Sequence, residues 1–242
     1  ILMNGSPEIK AAKEHAQLFG IKSLIYGPAG VGKTPIIATA PRPLLLSIEP
    51  GLLSMRNSDV PTVIADTAQK IDDFFKWFFN SNEVKAYDTL GIDSASYMAN
   101  VYLLAAMKGT SKQGNKKHGM AAYGEMAENT MEHLRTLFFV KEKHVYMVAK
   151  EEIADVEYQS LRRPYFPGNV LNTDLPYLYD FILRLAKYNG IPGAPAGENL
   201  AFQCVGNVNI LARARTGNLS EYEPPHFGNL ITKAMSAPTI GY

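Results

Sequence analysis

Eight consecutive residues, Gly27 to Thr34, read G-P-A-G-V-G-K-T and fit the pattern G-x-x-x-x-G-K-[ST]. Four constrained positions match by chance in about one chain in a hundred of this length. The residue types dictate the chemistry. Gly27, Gly30 and Gly32 allow backbone N–H groups to turn inward on an anion, with Pro28, Ala29 and Val31 completing the loop. Lys33 is placed to reach the β- and γ-oxygens of a nucleotide, and the Thr34 hydroxyl suits Mg²⁺. Two carboxylates stand in matching positions. Asp93 ends the apolar run L-G-I-D-S, where it can hold the metal's water shell, and Glu49 ends L-L-L-S-I-E. Alone, Asp93 reads equally as a helix cap and Glu49 as a cap for the Pro50-Gly51 turn. Beside a phosphate loop, the metal-anchoring reading of Asp93 is preferred, with ATP and Mg²⁺ as the expected cofactors.

These groups need a rigid mount. Ile21–Tyr26 is an apolar strand running into the glycine loop, and a helix is expected after it, Pro35 being tolerated in a first turn. Pro43–Glu49, Thr62–Asp66, Tyr87–Ser94 and His144–Lys150 supply four more strands. Thr67 to about Asn80 reads as a helix, with Ile71, Phe74, Phe75 and Phe78 on one face and Trp77 and Phe79 elsewhere. A helical stretch after Ser94 is interrupted at Lys108–Gly119, and another helix covers Ala121–Val140. Asp155–Asp174 reads as a Pro/Gly-rich loop. Tyr179–Ala186 and Ala201–Arg215 are late strands, expected to extend the sheet antiparallel at one edge. Strands alternating with helices argue for an α/β fold, a mostly parallel sheet with helices on both faces. Pro7–Phe19 reads as a leading helix capped by Ser6, so residues 1–20 form an extension and 21–242 the main domain.

The order of these features resembles the RecA-type P-loop ATPases. In that family the water-activating glutamate ends the strand after the P-loop helix, as Glu49 does, and the metal-anchoring aspartate is followed by a small polar residue, as in Asp93-Ser94. The resemblance covers roughly Ile21 to Arg215 and is nearest to the short phage-encoded members that act in single-strand annealing and recombination. It implies a RecA-like core, ATP hydrolysis, single-stranded DNA as partner and a homo-oligomer, ring or filament. A single-strand-binding protein is a further implied partner. It places Lys150 where the family has a glutamine or histidine that senses the γ-phosphate. Arg213 and Arg215, spaced i, i+2 on a strand and so facing one side, fall where the family carries basic residues that reach a neighbour's nucleotide.

The remaining composition narrows the options. With 24 Lys+Arg against 23 Asp+Glu in 242 residues, the formal charge is +1, which excludes a uniformly basic nucleic-acid protein. Positive charge is instead gathered locally. Lys108, Lys112, Lys116, Lys117 and His118 fall within twelve residues that contain no acid, in the place of the family's first DNA-binding loop, with Tyr123 just beyond. Arg162 and Arg163 lie among Tyr158, Tyr165 and Phe166, a mixture suited to phosphate contacts and base stacking. The five histidines show no ligand spacing, and the one cysteine, Cys204, excludes a disulfide framework and suits a reducing, cytoplasmic setting. No apolar run approaches a membrane span. Met3 reads as the initiator, and no secretory signal is visible. Beside the DNA-dependent ATPase stand three other readings: a helicase-like motor or loader acting on a protein, a small-molecule kinase with Arg162-Arg163 in a lid, and a non-catalytic scaffold that uses ATP as a structural ligand, against which Glu49 argues.

Overall fold

The computed structural model describes residues 9, 11–110, 118–156 and 159–236. A short helix α1 (Ala12–Gln17) precedes strand β1 (Lys22–Tyr26), and the glycine loop follows. Then come β2 (Pro43–Ser47), β3 (Thr62–Ile64), α2 (Ala68–Asn80), β4 (Thr89–Asp93), α3 (Ala95–Thr110), α4 (His118–Phe138) and β5 (His144–Val148). A hairpin of β6 (Lys150–Val156) and β7 (Gln159–Tyr165) leads to α5 (Asn169–Leu178), β8 (Phe181–Asn189), β9 (Glu198–Gln203), β10 (Arg213–Ala214), β11 (Tyr222–Glu223) and α6 (Phe227–Met235). Among the described residues no helix is long and apolar enough to cross a membrane.

Among the described residues, one nine-stranded sheet has the order β11-β9-β8-β1-β5-β4-β2-β3, with β10 also paired to β8. Strands β3, β2, β4, β5, β1 and β8 run parallel, and β9, β10 and β11 join by antiparallel pairings. This is the mostly parallel α/β fold with antiparallel late strands that the sequence implies.

Both faces of the central strands are buried, which is why they read as unbroken apolar runs. Successive residues go to opposite sides. Leu24, Tyr26, Leu44, Leu46, Leu90, Ile92, Val145 and Met147 pack with α2 to α5 in one core, while Ile25, Leu45, Tyr146 and Val148 pack with α6 and the segment after the glycine loop in the other. Thr67 caps α2 through the Lys70 amide, and Phe74, Phe75 and Phe78 fill the first core. Trp77 and Phe79 are half-buried against it, Phe79 stacking on Phe75 with centroids 5.7 Å apart, so this aromatic run is packing.

Several expectations are corrected. The helix after the glycine loop is a six-residue 3₁₀ turn, Thr34–Thr39, because Pro41 and Pro43 stop it and β2 begins at once. It packs on β4 at Gly91, where an added Cβ would lie 2.7 Å from Ile37 Cγ1. The Asp155–Asp174 segment is strand and helix: β6 pairs with β7 from Lys150↔Tyr165 to Val156↔Gln159, and α5 follows. With α5 as crossover, β8 enters beside β1 in parallel rather than at an antiparallel edge. The Ala201–Arg215 run is divided into β9 and β10 by a turn in which the Asn207 side chain accepts the Asn209 amide. Among the described residues of the leading helix, Ala12–Gln17 are helical, and Ser6 and Pro7 lie outside the described residues, as do Lys112, Lys116, Lys117 and Tyr158.

Candidate functional site

The glycine loop leaves β1 at the carboxyl ends of the parallel strands, where open α/β sheets bind ligands. Gly27 (φ 156°) touches β8 so closely that a Cβ would lie 2.0 Å from the Leu185 carbonyl oxygen. Gly30 (φ 72°) and Gly32 (φ 93°) face open space but hold left-handed backbone, which turns N–H groups inward. Lys33 folds back over its own loop, Nζ donating to the carbonyls of Gly27 at 2.8 Å and Pro28 at 2.9 Å. Phosphate oxygens would replace those acceptors. Burial draws the Lys33 ammonium below its usual value, while Asp93, Glu151 and Glu49 pull the other way.

β5 separates β1 from β4, yet the loop and Asp93 meet across its end. The Thr34 hydroxyl donates to Asp93 Oδ2, bringing a hydroxyl and a carboxylate of the hard-oxygen type that Mg²⁺ prefers onto one point. Burial raises the Asp93 carboxyl above its ordinary range; Glu49 pushes it further, and Thr34 and Lys33 oppose. This donor set fits the metal, Thr34 and Asp93 being the residues that would hold it. Glu49 lies on the next wall. Its amide donates to the Asp93 carbonyl at 3.3 Å, and its Oε1 accepts from Ser94, a contact that no sequence pattern announced. Together these groups line a cavity of about 630 Å³, large enough for a nucleotide, that also includes Lys150, Glu151 and Arg162.

The hairpin β6–β7 forms the far wall. The buried Ser96 hydroxyl accepts the Lys150 amide at 2.9 Å and donates to the Tyr165 carbonyl, tying both strands at the hairpin base to α3. The exposed Lys150 has Nζ 5.5 Å from the Tyr97 ring centroid and also lines the cavity. Arg162 and Arg163, adjacent on β7, face opposite sides: Arg162 pairs with Glu151 at 3.2 Å, and Arg163 with Glu152 at 2.7 Å. Glu151 also meets the buried Arg184 at 2.6 Å. These acids escaped the sequence reading because cross-strand register, which spacing does not reveal, supplies the pairs.

Arg213 and Arg215 sit at the other end of the sheet. Arg213 is level with Ile182 and so with Leu24 in the middle of β1, and the Arg215 amide donates to the Asp180 carbonyl beside Lys22 at its start, about 10 Å and about 16 Å of strand from Gly27. Both guanidiniums reach carbonyls at the end of α5, Arg213 those of Pro176 and Tyr179, Arg215 that of Tyr177. Neither touches its own chain's cavity. Lys108 lies in the last turn of α3, away from the cavity.

A lysine on a glycine loop, opposite a hydroxyl–carboxylate pair at the carboxyl ends of a parallel sheet, is the construction of a P-loop ATPase. The family described as an AAA domain matches residues 20–193, and the chain belongs to that family. A similar solved structure is a KaiC-like protein from the hyperthermophilic archaeon Pyrococcus horikoshii OT3, at 10% identity and a TM-score of 0.38 over 76% of this chain and 85% of that one. No curated protein matches the sequence.

Proposed function

We propose that this P-loop ATPase binds single-stranded DNA in an ATP-dependent manner and promotes strand annealing or recombination, working as a homo-oligomer. The observation that carries the ATPase part is the convergence of Lys33, Thr34, Asp93 and Glu49 on one cavity. Bound Mg²⁺ would supply charge neutralisation at the phosphates. The backbone amides of Gly27–Gly32 and the Lys33 ammonium bind and orient the triphosphate. Glu49, aimed by Ser94, accepts a proton from the attacking water. Lys150, on the hairpin that flanks the cavity, is the proposed γ-phosphate sensor, and Ser96 carries its position to α3.

The DNA part rests on charge distribution. The basic segment Lys108–His118, with Lys112, Lys116 and Lys117, joins α3 to α4. α3 starts two residues after Asp93 and runs for 16 residues, so its carboxyl end stands about 24 Å from its start beside the metal anchor. Nucleic acid would therefore bind apart from the nucleotide, with Arg163 as a further contact. A subunit contact is supported at the far end of the sheet, where Arg215 borders an apolar cavity of about 540 Å³ lined by Phe19, Phe138, Phe139 and Met235. Arg213 and Arg215 are proposed to reach a neighbour's nucleotide there.

The test is ATP turnover with and without single-stranded DNA across a salt series. Stimulation that fades with salt, and a shallower salt slope of binding when Lys112, Lys116 and Lys117 are all replaced by Ala, support the reading. An unchanged slope rejects the basic segment. A second reading, a motor or loader acting on a protein, is favoured by Ile153 and Val156, exposed on a hairpin whose two arginines are ion-paired. ATP turnover indifferent to DNA would select it.

A further inference from the structure

Arg162 is built into the nucleotide cavity more firmly than a loop cation would be. Its amide donates to the Asn209 carbonyl at 2.8 Å, and its carbonyl accepts the Leu211 amide at 2.9 Å and the Tyr26 hydroxyl at 3.0 Å. Tyr26 immediately precedes Gly27, and its hydroxyl also meets the Leu211 carbonyl at 2.9 Å. The backbone of Arg162 is thus pinned to the residue from which the glycine loop springs. Its side chain reaches along the cavity wall to Glu151 Oε1 and keeps 42% of its surface exposed.

Glu151 is shared. Its side chain is only 10% exposed and holds Arg184 as well, Nε to Oε2 at 2.6 Å. Arg184, equally buried, is further fixed by the Tyr188 hydroxyl at 3.0 Å, which itself donates to Gln203 Oε1 at 3.0 Å. One carboxylate therefore serves two guanidiniums. The triad carries one surplus positive charge at the edge of a phosphate cavity, and the less buried, less hydrogen-bonded partner of Glu151 is Arg162. Guanidinium forks match phosphate as well as carboxylate.

We propose that Arg162 is a nucleotide-contacting residue that distinguishes ATP from ADP: Glu151 holds it when no terminal phosphate is present, and the γ-phosphate takes the guanidinium over. Glu151 keeps Arg184 in either state, so no buried carboxylate is left without a cation. Because Arg162 is a residue of the hairpin, the hairpin is then loaded differently by triphosphate and diphosphate. The inference rests on the cavity being a nucleotide site, and it gives Arg162 a task at the nucleotide rather than at DNA.

The experiment is calorimetric titration of ATP and of ADP, each with Mg²⁺, into the unmodified chain, Arg162→Ala, Arg162→Lys and Glu151→Gln. Arg162→Ala should weaken ATP about tenfold or more while ADP stays within about twofold, as expected when a charge-assisted hydrogen bond is lost from one ligand only. Arg162→Lys should fall between. Glu151→Gln, by releasing the guanidinium, should strengthen ATP severalfold and leave ADP unchanged; where that variant does not fold, the two Arg162 variants decide alone. Equal losses for both nucleotides, or none for ATP, overturn the assignment. Single-strand binding lost in Arg162→Ala at an unchanged ATP-to-ADP ratio also overturns it and returns the residue to DNA. Failure of the unmodified chain to bind either nucleotide overturns the ATPase reading and this inference with it.

Discussion

The Ser94 hydroxyl donates to Glu49 Oε1 and accepts the Tyr97 amide at 3.2 Å, so the residue after the metal anchor also aims the carboxylate on the neighbouring strand. Ser94 is buried and Glu49 half-buried, which confines the carboxylate to one orientation over the cavity. Glu49→Gln should reduce ATP turnover by about a hundredfold or more and leave ATP binding within a few-fold. Ser94→Ala should lower kcat about tenfold with little change in KM. An unaltered kcat in a folded Ser94→Ala protein would remove Ser94 from the mechanism.

Thr34 and Asp93 should act through Mg²⁺. Thr34→Val and Asp93→Asn are expected to raise the Mg²⁺ concentration at half-maximal turnover by about tenfold, with nucleotide binding in EDTA unaffected. Burial raises the Asp93 carboxyl, so its protonated form gains population at higher pH than for an exposed aspartate. Mg²⁺-dependent turnover should therefore decline early on the acid side and recover with added Mg²⁺. A Mg²⁺ requirement identical in all three proteins would move the metal elsewhere.

Lys22 predicts an unusual alkaline behaviour. It is buried, with Nζ donating to the carbonyls of Val140 at 3.1 Å and Lys143 at 2.5 Å, and burial lowers its ammonium from 10.5 to about 8, against the pull of Asp180. Between those two values the unfolded chain binds more protons than the folded one, so this group makes stability rise with pH. Urea unfolding of the protein and of Lys22→Met at pH 7.5 and 9.5 should show the difference between them shifting by about 2 kcal/mol in favour of the parent protein at the higher pH. A difference constant with pH would mean that Lys22 titrates normally.

Cys204 should behave as a folding reporter. It is buried at the end of β9, and burial, reinforced by Glu223, pushes its thiol up to about 12. At pH 8 a disulfide-exchange reagent should leave it unmodified in the folded protein and label it fully in urea. Rapid labelling without denaturant would contradict the packing of β9 against β8.

Arg213 and Arg215 should separate by experiment. Arg213 is half-buried and satisfies two carbonyls at the end of α5, so Arg213→Ala should destabilise the fold by about 1–3 kcal/mol. Arg215 is exposed, 3.9 Å from Asp180, and Arg215→Ala should leave thermal stability nearly unchanged. Its turnover should fall, and mixing it with Glu49→Gln subunits should restore activity at some interfaces, because each lesion then sits on a different side of the contact. No recovery on mixing, at any ratio, would confine catalysis to single chains.

The parts of this molecule that were legible beforehand are those where chemistry fixes residue type and spacing together. A phosphate loop needs its glycines, Lys33 and Thr34 in order, and strands buried on both faces leave continuous apolar runs such as Leu44–Leu46. The β6–β7 hairpin was illegible for the opposite reason. It stands outside the main sheet and shows many charged or polar residues, so no alternation marks it. Its ion pairs depend on register: Glu151 is 11 residues from Arg162 and 33 from Arg184. The short turn after the glycine loop was set by Pro41 and Pro43, which override the helix that the motif alone suggests.

The two ends of the sheet have a consequence for symmetry. Nucleotide chemistry occupies the carboxyl ends of the parallel strands, and Arg215 with its apolar surround occupies their starts. A two-fold dimer that meets end to end presses one pole against the identical pole, and so does not set the start of one sheet against the finish of the next. Joining those unlike poles is a heterologous contact, repeated by every added subunit. Its geometry closes only when the rotation per subunit divides a full turn; any other rotation produces a helix without a natural length.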